Sequence, residues 1–153
     1  MVRRVLLGLS CAFALTALAL MLFGKGIAMR FSSGEGEYIV QRYNYLDGMV
    51  FGYGNFFAPL CVIAAAVALV LLVILLWRGK YLNAVVWMFG VALFLALGAA
   101  VVFGSLTVVN LAVILLLGAA LAVYLPGVCW QAEKENAKSY HLKKFGFSLA
   151  FCR

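Results

Sequence analysis

The stretch FAPLCVIAAAVALVLLVILLW, residues 57–77, decides how the rest of the chain is read. From Ala58 onward it holds twelve Leu, Ile and Val residues and no charge. At roughly −0.3 to −0.6 kcal/mol apiece, these favour insertion into a bilayer by about 4–7 kcal/mol. A helix of this length covers about 30 Å, the thickness of the hydrocarbon layer. Pro59 falls in its first turn, where a missing N–H costs little. Arg78-Gly79-Lys80 ends the span.

Three further apolar blocks flank it. The first, residues 5–23, follows Arg3 and Arg4. Two arginines and an apolar run are also the parts of a signal peptide, and Ala17-Leu18-Ala19 supplies a small-x-small site. The run nevertheless exceeds the ~7–15 residues of a signal core and suffices to cross a bilayer. A retained helix is expected. Gly8-Leu9-Ser10-Cys11 is no lipoprotein box, because Gly8 stands where an aliphatic residue is needed. The other two blocks, residues 82–103 and 106–125, cannot be one helix. It would be about 66 Å long, twice the hydrocarbon thickness. Gly104-Ser105 is the expected turn, and Pro126-Gly127 the expected end of the fourth helix.

Composition agrees with this. The 153 residues are 67% hydrophobic and only 11% charged, with a mean hydropathy of +1.12. That is too little polarity to solvate a globule of this size. The expected fold class is all-α: one polytopic membrane domain, residues 1–153, built as a four-helix transmembrane bundle. Residues 24–54 form an outer loop and residues 128–153 a cytoplasmic tail.

The net charge of +7 is topological. Four spans put both termini on one side, together with Arg3, Arg4, Arg78, Lys80, Lys134, Lys138, Lys143, Lys144 and Arg153. Only Lys25, Arg30 and Arg42 lie opposite. The positive-inside rule makes the chain N-in/C-in. Trp77, Tyr81, Tyr124 and Trp130 are then expected to form a cytoplasmic aromatic belt. Basic residues that flank apolar blocks form no nucleic-acid stripe, so the expected partners are the bilayer and no nucleic acid. The expected location is a bacterial cytoplasmic membrane.

The outer loop is glycine-rich and aromatic. Gly34-Glu35-Gly36-Glu37 reads as a turn. Tyr38, Tyr43, Tyr45, Phe51, Tyr53, Phe56 and Phe57 crowd toward the second helix as an interfacial belt. In the tail, residues 133–144 suit a short surface helix. Residues 145–151 alternate with period two, although Gly146 weakens a strand. Lys138, Lys143, Lys144 and Arg153 suit an anionic leaflet.

The spans contain no Asp, Glu, Lys, Arg or His. Ion-coupled transporters place such a residue at depth, and small multidrug exporters need an embedded glutamate. A b-type haem needs histidines in the helices, whereas the single His141 lies in the tail. No cofactor is expected. Cys11, Cys61, Cys129 and Cys152 make no Cys-x-x-Cys pair and read as free thiols. No Ser-His-Asp, His-Glu-x-x-His or phosphate loop is present.

Five polar or interfacial positions remain as candidates. Asn110 is the one strongly polar side chain inside a span, suited to bonding between helices or to lining a path. Asp47, with Glu35 and Glu37, is an outward carboxylate, and Tyr45 stands beside it in sequence. Asn55 and Phe56 mark the mouth of the second helix, as anchor and N-cap. Thr16, Ser105 and Thr107 are expected to bond back to their own helices. Small residues recur four apart at Gly8/Ala12, Ala64/Ala68, Ala96/Ala100/Gly104 and Gly118/Ala122. Such faces suit tight bundling, a protein partner or a homo-oligomer.

The run from Tyr43-Asn44-Tyr45-Leu46-Asp47-Gly48 through Asn55-Phe56-Phe57-Ala58-Pro59-Leu60 resembles the approach to the second helix in small uncharacterised four-helix membrane proteins of Gram-positive anaerobes. The resemblance covers about an eighth of the chain and implies topology, with no activity attached. Claudin-like tetraspans are not resembled, since the outer loop lacks their Gly-Leu-Trp signature and paired cysteines. The leading expectation is a non-enzymatic structural, accessory or partner-binding subunit. The alternatives are a small oligomeric transporter or channel, with Asn110 and Ser105 near its path, and an enzyme using Asp47 and nearby tyrosines.

Overall fold

The computed structural model describes residues 2–32, 37–47, 56–78, 83–102 and 106–150, those beyond 130 by their backbone. Helix α1 (Val2–Phe23) leads into strands β1 (Ile27–Ser32) and β2 (Tyr38–Tyr43), followed by α2 (Phe57–Arg78), α3 (Asn83–Val102) and α4 (Val108–Ala150). Among the described residues four segments are long and apolar enough to cross a membrane: Arg4–Phe23, Phe57–Arg78, Asn83–Val101 and Val108–Trp130. The chain is a membrane-integral, all-α four-helix bundle. The expected turns at Gly34–Gly36 and Gly104-Ser105 lie outside the described residues, as do Asn55, Tyr81 and Cys152.

Each helix packs on two neighbours, α1 on α2 and α4, α3 on α2 and α4, so the four close a ring. Their inner faces share one period. Leu7, Ser10, Ala14, Ala17 and Met21 are buried in α1, and Ala58, Cys61, Ala65, Ala68, Leu72 and Leu75 in α2. The same holds for Val85, Phe89, Ala92, Ala96 and Ala99 in α3, and for Asn110, Val113, Leu117, Ala120 and Tyr124 in α4. Alternating steps of three and four average 3.5 residues, the seam of left-handed helix bundles.

Two hydrogen bonds fix how these seams face each other. Ser10 Oγ donates to the Ala120 carbonyl at 2.8 Å, and Cys61 Sγ to the Ala92 carbonyl at 3.2 Å. Counting along antiparallel neighbours, Ala14 and Ala17 come level with Leu117 and Val113, and Ala65 and Ala68 with Phe89 and Val85. Small meets large at these four positions, which is how a bundle reaches close packing without a hydrophobic gradient against lipid.

Three expectations need correction. Pro126 does not end the fourth helix, because α4 continues through it to Ala150. A proline removes one backbone hydrogen bond and crowds one carbonyl. Pro126 is exposed, near the end of the span, where polar surroundings can satisfy that carbonyl. The tail's short helix is therefore part of α4, and residues 145–150, where Gly146 weakens a strand, are helical. Tyr124 leaves the expected belt: it is fully buried, while Trp77 and Trp130 are exposed. Finally, Gly8/Ala12 and Gly118/Ala122 do not line the bundle. Ala12 and Ala122 are exposed and nothing lies within 4 Å of a Cβ at either glycine. Ala64/Ala68 and Ala96/Ala100 are buried.

Among the described residues, the strands lie between α1 and α2. β1 and β2 pair antiparallel from Ile27↔Tyr43 to Ser32↔Tyr38. One face of this ribbon carries Ile27, Met29 and Phe31 with Ile39, Gln41 and Tyr43, and the other carries Ala28, Arg30 and Ser32 with Val40 and Arg42. Ile27 and Met29 are buried, whereas Arg30, Val40 and Arg42 are exposed. The base of the first face, Ile27 and Met29, packs on the bundle with Phe31 and Tyr43 beside it, and Ile39 and Gln41 on the same face are exposed.

Candidate functional site

The site is the root of this hairpin, where the loop is fastened to α1 and α4. Gly24 donates its N–H to the Leu20 carbonyl at 2.8 Å, finishing α1. Two residues later, Gly26 passes so close to Tyr45 that a Cβ there would lie 2.6 Å from the ring's Cε2. Only glycine permits that approach. Tyr45 itself is fully buried, and its N–H points to the Met21 carbonyl at 3.4 Å. The phenol donates to Asn110 Oδ1 at 2.6 Å.

Thr107 completes the fastening. Its position just before α4 makes it the N-cap: its hydroxyl oxygen accepts the Asn110 N–H at 3.1 Å, and its carbonyl accepts the Leu111 N–H at 3.0 Å. The same hydroxyl donates a short bond to the Gly26 carbonyl. The expectation that Thr107 bonds back to its own helix is thus overturned. As the N-cap it has no preceding turn whose carbonyl could accept. Thr16, in mid-helix, does bond back, to the Ala12 carbonyl at 2.9 Å.

Above the root, the Phe31 and Tyr43 rings meet edge to face with centroids 6.5 Å apart, and the Tyr43 hydroxyl donates to Gln41 Oε1. Below it, Asn44 and Asp47 close a turn: the Asn44 N–H reaches Asp47 Oδ2 at 3.4 Å, and the Asp47 N–H reaches the Asn44 carbonyl at 3.2 Å. Asn44 Oδ1 is a buried acceptor without a hydrogen-bond partner among the described residues.

Of the four candidates among the described residues, the structure brings two together and separates the other two. Tyr45 and Asn110 are bonded partners. Asp47 is exposed while Tyr45 is buried, so the acid and the phenol do not share a surface. Phe56 is exposed and sits at the cap of α2, accepting the Leu60 N–H at 3.3 Å. Ser10, Gly26 and Thr107 were not singled out by sequence reasoning as parts of a polar site. The close pair of glycines just after a span was the available signal. Among the described residues no three His, Cys, Asp or Glu side chains converge as metal ligands.

Burial, first, and the neighbouring Cys61 thiol, second, push the Tyr45 phenol above its ordinary range. The docked state therefore favours the neutral phenol, whose proton makes the bond to Asn110. Its contribution to stability is complete below about pH 10 and is lost as pH rises beyond. Alkaline titration of phenolate absorbance should show a late-ionising fraction among the seven tyrosines, and Tyr45→Phe should lower that fraction by one. An unchanged fraction would place Tyr45 in water.

No family model, no curated protein and no solved structure matches this chain.

Proposed function

We propose that this chain is a non-enzymatic accessory subunit that holds a short β-hairpin rigid at the outer face of a bacterial cytoplasmic membrane for a protein partner. The observation that carries this reading is the docked hairpin. Its root is fastened by Tyr45–Asn110 and Thr107–Gly26 with Ile27 and Met29 buried beside it, while Arg30, Val40 and Arg42 stay exposed. A two-stranded ribbon is marginal alone in water, so the bundle keeps its outward face in one shape. Preorganisation of that kind lowers the ordering cost of binding. The nine-to-three division of basic residues supports an outward hairpin. A conduit lined by Asn110 gains no support, because that side chain is buried against Tyr45.

Two arginines on one face suit an acidic partner surface. A photo-crosslinking residue at Val40, in native membranes, should give one discrete protein adduct, and the same residue at the buried Met29 should not. Arg30→Glu with Arg42→Glu should remove the Val40 adduct without changing insertion. A chain that runs alone in mild detergent and gives no Val40 adduct would contradict the reading.

A further inference from the structure

The C-terminal foot of α2 has a chemistry of its own. A groove of about 370 Å³ opens there, lined among the described residues by Val73, Ile74, Trp77 and Arg78. That volume is near the lower end of small-molecule sites, ~300–1,000 Å³. The four positions lie one turn apart on a single flank, and all are exposed, Trp77 by 90%. Val73 to Arg78 spans about 7.5 Å along the helix axis. Within that height the lining passes from branched aliphatics through an indole to a guanidinium.

We propose that this groove seats an anionic phospholipid of the cytoplasmic leaflet, with its phosphate on Arg78, its glycerol region against Trp77 and the start of an acyl chain on Val73 and Ile74. Each layer selects a part of that occupant. A planar guanidinium matches phosphate oxygens in a two-pronged geometry. An indole at the membrane–water boundary pairs an apolar ring with an N–H donor. The aliphatic pair lies at the depth where hydrocarbon begins. An apolar partner helix would meet Val73 and Ile74 equally well but would leave Arg78 without an anion. Charge complementarity therefore selects the lipid.

The test uses the full chain in lipid nanodiscs. Of the three tryptophans, Trp87 and Trp130 are replaced by Phe so that Trp77 alone reports. Nanodiscs hold phosphatidylcholine with a minority of phosphatidylglycerol, with bromine placed high on the acyl chains of one lipid or the other. Brominated phosphatidylglycerol should quench Trp77 as though enriched about fivefold over its bulk share, the factor expected of one basic contact. Arg78→Gln should return quenching to the bulk share, and Arg78→Lys should fall between. High salt should leave the enrichment largely in place, because a seated pair is screened less than a diffuse one. Equal quenching by both lipids overturns the proposal. So does an enrichment that survives Arg78→Gln or vanishes in salt, which would be diffuse attraction to the basic face. A Trp77 that no brominated lipid quenches would mean that protein covers the groove, and that result overturns it too.

Discussion

Tyr45→Ala releases the hairpin while the four helices remain inserted. Removing a fully buried aromatic side chain costs about 3–5 kcal/mol where the site cannot collapse. Here collapse is limited, because Gly26 has no side chain to move into the space and Val109 already sits beside both Gly24 and Gly26. The substitution also removes the Tyr45 hydrogen bond to Asn110 Oδ1, a loss of about 0.5–1.5 kcal/mol. Tyr45→Phe isolates the second effect: the ring stays and only the 2.6 Å bond is lost. It should cost about 1 kcal/mol. The helices should not follow the hairpin, since insertion depends on spans that contain neither Tyr45 nor the two strands. Limited proteolysis from the hairpin side checks this. Cleavage between residues 27 and 47 should rise steeply in Tyr45→Ala and slightly in Tyr45→Phe, with the embedded fragments intact.

The second large effect is expected from Ala68→Leu. Ala68 is fully buried and lies level with Val85, one turn from Phe89, where the extra methylenes have no room. Overpacking of this kind costs about 1–3 kcal/mol, and more where backbones are held close. The sign is informative, because leucine partitions into a bilayer better than alanine. Any loss of stability must therefore come from helix–helix packing. Ala122→Leu supplies the matched control: the same chemical change on an exposed position of α4 should be neutral. Thermal denaturation in detergent should show a lowered midpoint for Ala68→Leu alone. Equal shifts for both substitutions would mean that the buried seam is wrongly placed.

The contrast between Ala68 and Ala122 also shows how far the sequence could be read. Four spans follow from length and hydropathy, which a bilayer enforces directly. The inner face does not, because lipid is as apolar as the core and the helices are apolar all round. Gly118/Ala122 and Ala64/Ala68 have the same spacing and opposite surroundings. What distinguishes the inside is the sustained 3.5-residue recurrence of small or polar side chains, Ser10, Ala14 and Ala17 in α1 among them. Pro126 misled for a related reason: a helix leaving the membrane meets groups that repair the missing bond, so proline is a weaker stop there.

At the hairpin root the difficulty was different. Asn110 reads as a residue within a span as long as hydropathy sets the helix start. Thr107 as N-cap moves that start to Val108, which leaves Asn110 in the first turn, within reach of the loop. The strands are short, and Ile27, Met29 and Phe31 alternate over only six residues. Tyr45 is one aromatic among many in the loop, and no periodicity marks it. Its role depends on a partner 65 positions away, and a single sequence carries no record of that pairing.

The central claim is that the bundle holds the hairpin in place. Hydrogen–deuterium exchange of the whole chain in lipid nanodiscs tests it most directly. An isolated two-stranded ribbon protects its amides poorly, so protection must come from docking. The account predicts that the cross-strand amides of residues 27–32 and 38–43 exchange slowly in the native chain and lose that protection in Tyr45→Ala, while α1 to α4 keep theirs. Fast exchange of the hairpin in the native chain, or protection unchanged by Tyr45→Ala, would contradict it.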